Sequence, residues 1–63
     1  MTIGQRIREA RLAKELTQQK LADKMNYTVV YVSNIERDVY KPSSRALMAF
    51  ERVLGRLEVG SWL

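Results

Sequence analysis

The chain has no cysteine and no histidine among its 63 residues. Without cysteine there is no disulfide and no thiolate nucleophile, and without either residue the usual zinc ligands and the commonest general base are gone. Proline occurs once and glycine three times, which excludes a low-complexity linker. Apolar runs are short: Val29 to Val32 and Ala46 to Phe50 fall far below the roughly 20 residues that cross a bilayer. The first residues hold no apolar block of the signal-peptide kind. These absences predict a cytoplasmic protein without metal, cofactor, small-molecule site or membrane association, whose core stands on packing alone.

What is present is apolar and basic. Hydrophobic residues make up 46% and charged residues 29% of the chain, the balance of an ordered protein. A length of 63 residues predicts one domain over 1–63, with a locally built core and no space for a deep catalytic cleft. The net charge of +4 and the pI near 9.9 favour a polyanionic partner. Arg6, Arg8, Arg11 and Lys14 crowd the beginning of the chain, although such a run is by itself ordinarily a solvated helix face.

Helical spacing recurs along the chain. Ile3, Ile7 and Ala10 after Thr2 predict a first helix over about 3–14. Thr17 precedes a short second helix over about 18–25, with Leu21, Ala22 and Met25 as its apolar stripe. Asn26, which tolerates left-handed geometry, marks a sharp turn. Thr28 opens a third helix, about 28–37, with Val32, Ile35 and Glu36 turned inward. Lys41 before Pro42 breaks the helical pattern, and Ser43 or Ser44 caps a fourth helix over about 44–54, stopped by Gly55. Leu57, Val59, Trp62 and Leu63 form a closing segment over about 57–63. The fold class is all-α, a compact bundle of four to five short helices.

Two short helices joined by a tight turn at Asn26 to Thr28 have the layout of a helix-turn-helix, whose second helix enters a DNA major groove. Setting Val32 inward and stepping about 100° per residue puts Val30, Asn34 and Arg37 on the outer face. An apolar side chain can meet a thymine methyl, an asparagine amide can pair with adenine, and an arginine can take guanine or a phosphate. The alternative is that Val30 is a half-buried packing residue and the two polar side chains are simply solvated. Val29 lies nearer the buried edge, and Ser33 is a small residue that allows close helix contact.

The run from Leu16 to Met25, LTQQKLADKM, followed by Thr28, by Val32 to Arg37 and by Lys41-Pro42-Ser43, resembles the helix-turn-helix family of phage repressors and Cro-like proteins. The resemblance extends from the first helix to the fourth. It implies a sequence-specific DNA-binding transcriptional regulator, a repressor above all, acting as a homodimer on double-stranded DNA with a palindromic operator. It implies base reading by Val29, Val30 and Asn34, and phosphate or backbone contacts from Gln18, Thr28, Tyr31, Arg37, Tyr40, Lys41 and Arg45. Arg11 and Glu36 match a family ion pair that ties the first helix to the third, a structural role. Such a protein is expected at the nucleoid.

The chain departs from the family pattern at Asn26 and Asp38, where glycine is common, and at Ser44 and Glu51, where the fourth helix usually carries apolar or small residues. These last two predict a thinner core on that side. The stretches FERVLG and LEVG near the C-terminus also resemble the helix-turn-helix domain of multiprotein bridging factors, so a protein-interaction module of bridging-factor or antitoxin type is the rival reading. Leu12 and Met48, extended by Val59, Trp62 and Leu63, are the apolar residues such a partner would meet. An enzyme is not expected, because no nucleophile, base and orienting group can be assembled from this sequence.

Overall fold

The computed structural model describes residues 1–57; Val59, Trp62 and Leu63, assigned above to a closing segment and an apolar patch, lie outside the described residues. Four helices follow one another: α1 (Ile3–Ala13), α2 (Gln18–Met25), α3 (Val29–Glu36) and α4 (Ser44–Leu54). Each begins at a hydroxyl side chain in extended backbone, Thr2, Thr17, Thr28 and Ser43, which accepts a hydrogen bond from the third amide of its helix. Ser43 is therefore the cap of α4 and Ser44 its first residue. At α1 the cap is reciprocal, since the Gln5 side chain accepts from the Thr2 amide at 2.9 Å.

The first three helices end in one way. Glu15, Asn26 and Asp38 all have positive φ, at 58°, 63° and 62°. Around each, the next residue's amide reaches back five residues: Leu16 to the Arg11 carbonyl at 3.1 Å, Tyr27 to Ala22 at 2.9 Å, Val39 to Asn34 at 3.0 Å. This is the Schellman pattern, which satisfies the last carbonyls of a helix and turns the chain sharply. Glycine usually occupies the left-handed position because it has no Cβ to clash. Asn26 and Asp38 adopt that geometry at modest cost, whereas at Glu15 no turn residue was visible in the sequence.

The turns fold the helices onto a core whose largest fully buried side chains are Ile7, Leu21, Met25, Val32, Ile35, Phe50 and Leu57. At roughly 1.5–3 kcal/mol per fully buried large apolar side chain, these residues supply most of the drive to fold. α3 packs against both α1 and α2, and α4 closes the far side of the same two helices. Leu16, Tyr27 and Val29 seal the margins of the core, half-buried.

Ser44 and Glu51 do not thin the core as expected. Ser44 is exposed at the start of α4, so no apolar residue is missed there. Glu51 is half-buried and its Oε2 accepts from the Leu57 amide at 3.1 Å, drawing Leu57 into the core after the helix stops at Gly55.

Gly4 sits where α1 meets the end of α3. A Cβ there would overlap the Ile35 carbonyl oxygen and lie 2.6 Å from Asp38 Oδ1. The close approach also lets the Thr2 hydroxyl donate to Asp38 Oδ2 at 2.7 Å, which places a carboxylate at the positive end of α1.

Two substitutions separate these effects. Glu15→Gly should raise the thermal midpoint by a few degrees, relief of left-handed strain of ~1–2 kcal/mol outweighing the added chain entropy. Gly4→Ala should lower it, since overpacking at a rigid contact costs ~1–3 kcal/mol. Thermal unfolding followed by circular dichroism checks both.

Candidate nucleic-acid interface

Among the described residues, α2, α3 and α4 leave backbone amides free at their N-terminal ends. The first amides of any α-helix lack an intrahelical partner, and the hydroxyls of Thr17, Thr28 and Ser43 take up only Lys20, Tyr31 and Ala46 respectively. The amides of Gln18 and Gln19, Val29 and Val30, and Ser44 and Arg45 stay available to an anion, at the positive ends of the helix dipoles.

Between α2 and α3 lies an open concavity lined by Gln18, Val29, Val30, Ser33, Asn34 and Arg37. The three base-reading candidates, Val29, Val30 and Asn34, thus share one surface with Gln18 and Arg37. Val30 is 64% exposed and contributes nothing to the core. Val29 and Asn34 are half-buried at the margin, and Arg37 is exposed just beyond the last helical residue, Glu36. Ser33, read from the sequence as a spacer, belongs to the same lining.

The remaining candidates lie outside the lining of this concavity. Thr28 is exposed, its oxygen accepting from the Tyr31 amide at 3.1 Å, which leaves its hydroxyl hydrogen free to donate. The Tyr31 ring lies between those of Tyr27, at a centroid distance of 5.1 Å and tilted by 35°, and Tyr40, at 5.7 Å and tilted by 47°. This row of tyrosines, which no local spacing announces, joins the loop after α3 to the half-buried flank of that helix. Tyr40 and Lys41 line a separate recess with Asp38 and Val39. Arg45 opens onto a third concavity beside Tyr27 and Met48.

Behind the surface is a buried ionic knot. The Arg11 guanidinium grips Glu36 with both prongs, Nε to Oε2 at 2.7 Å and Nη2 to Oε1 at 3.1 Å, while Nη1 donates to the Leu16 carbonyl at 2.8 Å. Arg11 is 8% and Glu36 7% exposed. Gln18 joins them, its Nε2 donating to Glu36 Oε1 at 3.0 Å. A carboxylate only accepts, so the amide nitrogen must face it; one Nε2 hydrogen remains for a phosphate. The Glu36 carboxylate therefore ties together α1, the start of α2 and the end of α3, and Arg11 adds the α1–α2 turn.

Leu12, 54% exposed, lines a concavity with Met1 and Arg8, whereas Met48, 70% exposed, lies with Tyr27 and Arg45. The two outward apolar residues occupy separate concavities. No group of three or more potential metal ligands occurs among the described residues, and none of their helices is long and apolar enough to cross a membrane.

Removing one partner of the knot strands a buried charge. Arg11→Ala should cost ~3–5 kcal/mol, whereas substituting Arg11 and Glu36 together by apolar residues of similar volume should cost far less than that. Urea denaturation of the single and double variants decides; an Arg11→Ala variant of unchanged stability would contradict the structural role.

The chain matches a family model described as helix-turn-helix over residues 7–60. It is 47% identical over 55 residues to the immunity repressor protein of Bacillus phage phi105, a match covering 87% of this chain and 38% of that protein. The chain thus spans well under half the length of the curated relative it matches. No solved structure gives a significant match. The four-helix order, the sharp turn at Asn26 and a family match over most of the residues agree: the chain belongs to the helix-turn-helix family, in its phage-repressor and Cro-like branch.

Proposed function

We propose that this chain is the DNA-reading part of a transcriptional repressor, which lays α3 in the major groove of its operator. The observation that carries the reading is the shared surface of Gln18, Val29, Val30, Asn34 and Arg37, with an exposed valine and an amide side chain on a helix of eight residues and an arginine at its C-terminal cap. Specificity comes from Val29, Val30 and Asn34 at base edges. Affinity comes from phosphate neutralisation around them, through Gln18, Thr28, Tyr31, Tyr40, Lys41, Arg45 and the free helix amides, with Arg37 on a phosphate or a guanine. The net charge of +4 suits that polyanion. The similarity to a phage immunity repressor supports the same reading.

The protein acts on DNA as a homodimer over a palindromic operator, its half-sites about one helical turn, roughly 10 bp, apart, and it resides at the nucleoid in the cytoplasm. Its work is binding rather than catalysis. The exposure of Leu12 and Met48 favours, as a second reading, a contact with another protein; the same apolar residues suit a second copy of the chain.

An NMR titration of the labelled chain with a mixed-sequence duplex, at low and at higher salt, tests the proposal without knowledge of the operator. The amides of Gln18, of Thr28 to Asn34, of Arg37 and of Lys41 are expected to shift, and the affinity to fall steeply as salt rises, because phosphate contacts release counterions. Amides on this face that stay unmoved at low salt would refute the DNA reading and turn attention to Leu12 and Met48.

A further inference from the structure

Within the concavity, Arg37 donates from Nη2 to Asn34 Oδ1 at 2.7 Å, across the i, i+3 spacing that brings helical side chains together. Neither neighbouring acid competes for the guanidinium. Glu36 is occupied by Arg11 and Gln18, and Asp38 Oδ2 takes the Thr2 hydroxyl. Among the described residues the ion pairs are Arg6–Glu9 and Arg11–Glu36, so the partner of Arg37 there is the amide. A hydrogen bond from a charged donor is shorter and stronger than one between neutral groups. The orientation of the Asn34 amide follows: its oxygen points to Arg37, and its nitrogen is left for the groove.

An amide that reads adenine uses both its ends, accepting from N6–H with the oxygen and donating to N7 with the nitrogen. With the oxygen engaged, the edge left to the groove consists of donors: the Nδ2 hydrogens of Asn34 and the remaining N–H groups of Arg37. Guanine presents two acceptors, N7 and O6, on its major-groove edge, whereas adenine and cytosine each place an amino donor there. We propose that Asn34 and Arg37 form one reading unit that selects guanine in place of adenine, with Arg37 stationed at the base edges instead of on a phosphate. The inference rests on the reading of this face as a major-groove reader and adds the base that it selects.

The test is selection of binding sites from a pool of randomised duplexes, carried out in parallel for the wild type, Asn34→Ala and Arg37→Ala. The base pair read by residue 34 is identified as the one whose preference disappears in Asn34→Ala. Guanine is expected there in the wild-type sites, with replacement by adenine weakening binding about tenfold. Arg37→Ala frees the amide oxygen and should shift that pair towards adenine; the exposed position of Arg37 predicts an unchanged thermal midpoint, measured alongside. A wild-type preference for any base other than guanine at that pair, or guanine retained in Arg37→Ala, would overturn the reading unit and leave the DNA-binding proposal standing. A wild type that enriches no sequence would overturn both.

Discussion

The arrangement depends above all on the Glu36 carboxylate. It is buried at the end of α3, and a buried charge without partners is strongly unfavourable. The chain therefore has to deliver donors to it, two prongs from Arg11 on α1 and an amide from Gln18 at the start of α2. Against an apolar core of the same volume such a cluster adds little stability. Its consequence is geometric: hydrogen bonds of 2.7–3.1 Å fix where the first turn of α2 stands relative to α3, which greasy contacts alone leave free to slide. Because Arg11 also holds the Leu16 carbonyl, the turn between α1 and α2 is tied into the same framework.

Three Schellman turns bring the chain to that point, and their residues show what local stiffness costs. Asn26 and Asp38 enter left-handed backbone with side chains suited to it, and Asp38 then uses its carboxylate at the N-terminus of α1. Glu15 has no such compensation, so the turn after α1 is held by its tertiary surroundings, Leu16 packing on the core and offering its carbonyl to Arg11. A structure this small cannot separate its turns from its core. Each turn begins or ends at a residue that packs or bonds across the molecule.

Much of this was legible in the sequence because the responsible interactions are local. Hydroxyl caps, apolar spacing and the turn at Asn26 lie within a few residues of what they control, and the helix starts follow from them to within one residue. The outward position of Val30 came from helical periodicity in the same way. The rest depends on long-range approach. Nothing near Gly4 in the chain reports that Ile35 and Asp38 will lie against it, and the approach of Tyr40 to Tyr31 and Tyr27 requires the loop after α3 to fold back. Glu51 looked like a misplaced charge because its partner, the Leu57 amide, lies beyond the end of its own helix. The bond from Arg37 to Asn34 is the exception: its i, i+3 spacing is local, but neither residue by itself indicates it.

A helix of eight residues such as α3 is too short to persist alone in water, where isolated helices below about 12–15 residues are marginal. Its shape is imposed by its inner side, where Val32 and Ile35 fill the core and Glu36 receives Arg11. The outer side then owes the fold very little. Val30 and Arg37 are exposed and Asn34 only half-buried, so exchanging them leaves no cavity, stranded charge or broken cap, the main sources of large stability loss. The inner side, by contrast, is constrained three times over, by core volume, by charge and by the turn that follows. Alternation of these two sides along a single helix lets one scaffold present different chemistry outward without being rebuilt. Under the proposed function, the residues of this face that stabilise the fold least are the ones that meet the DNA bases.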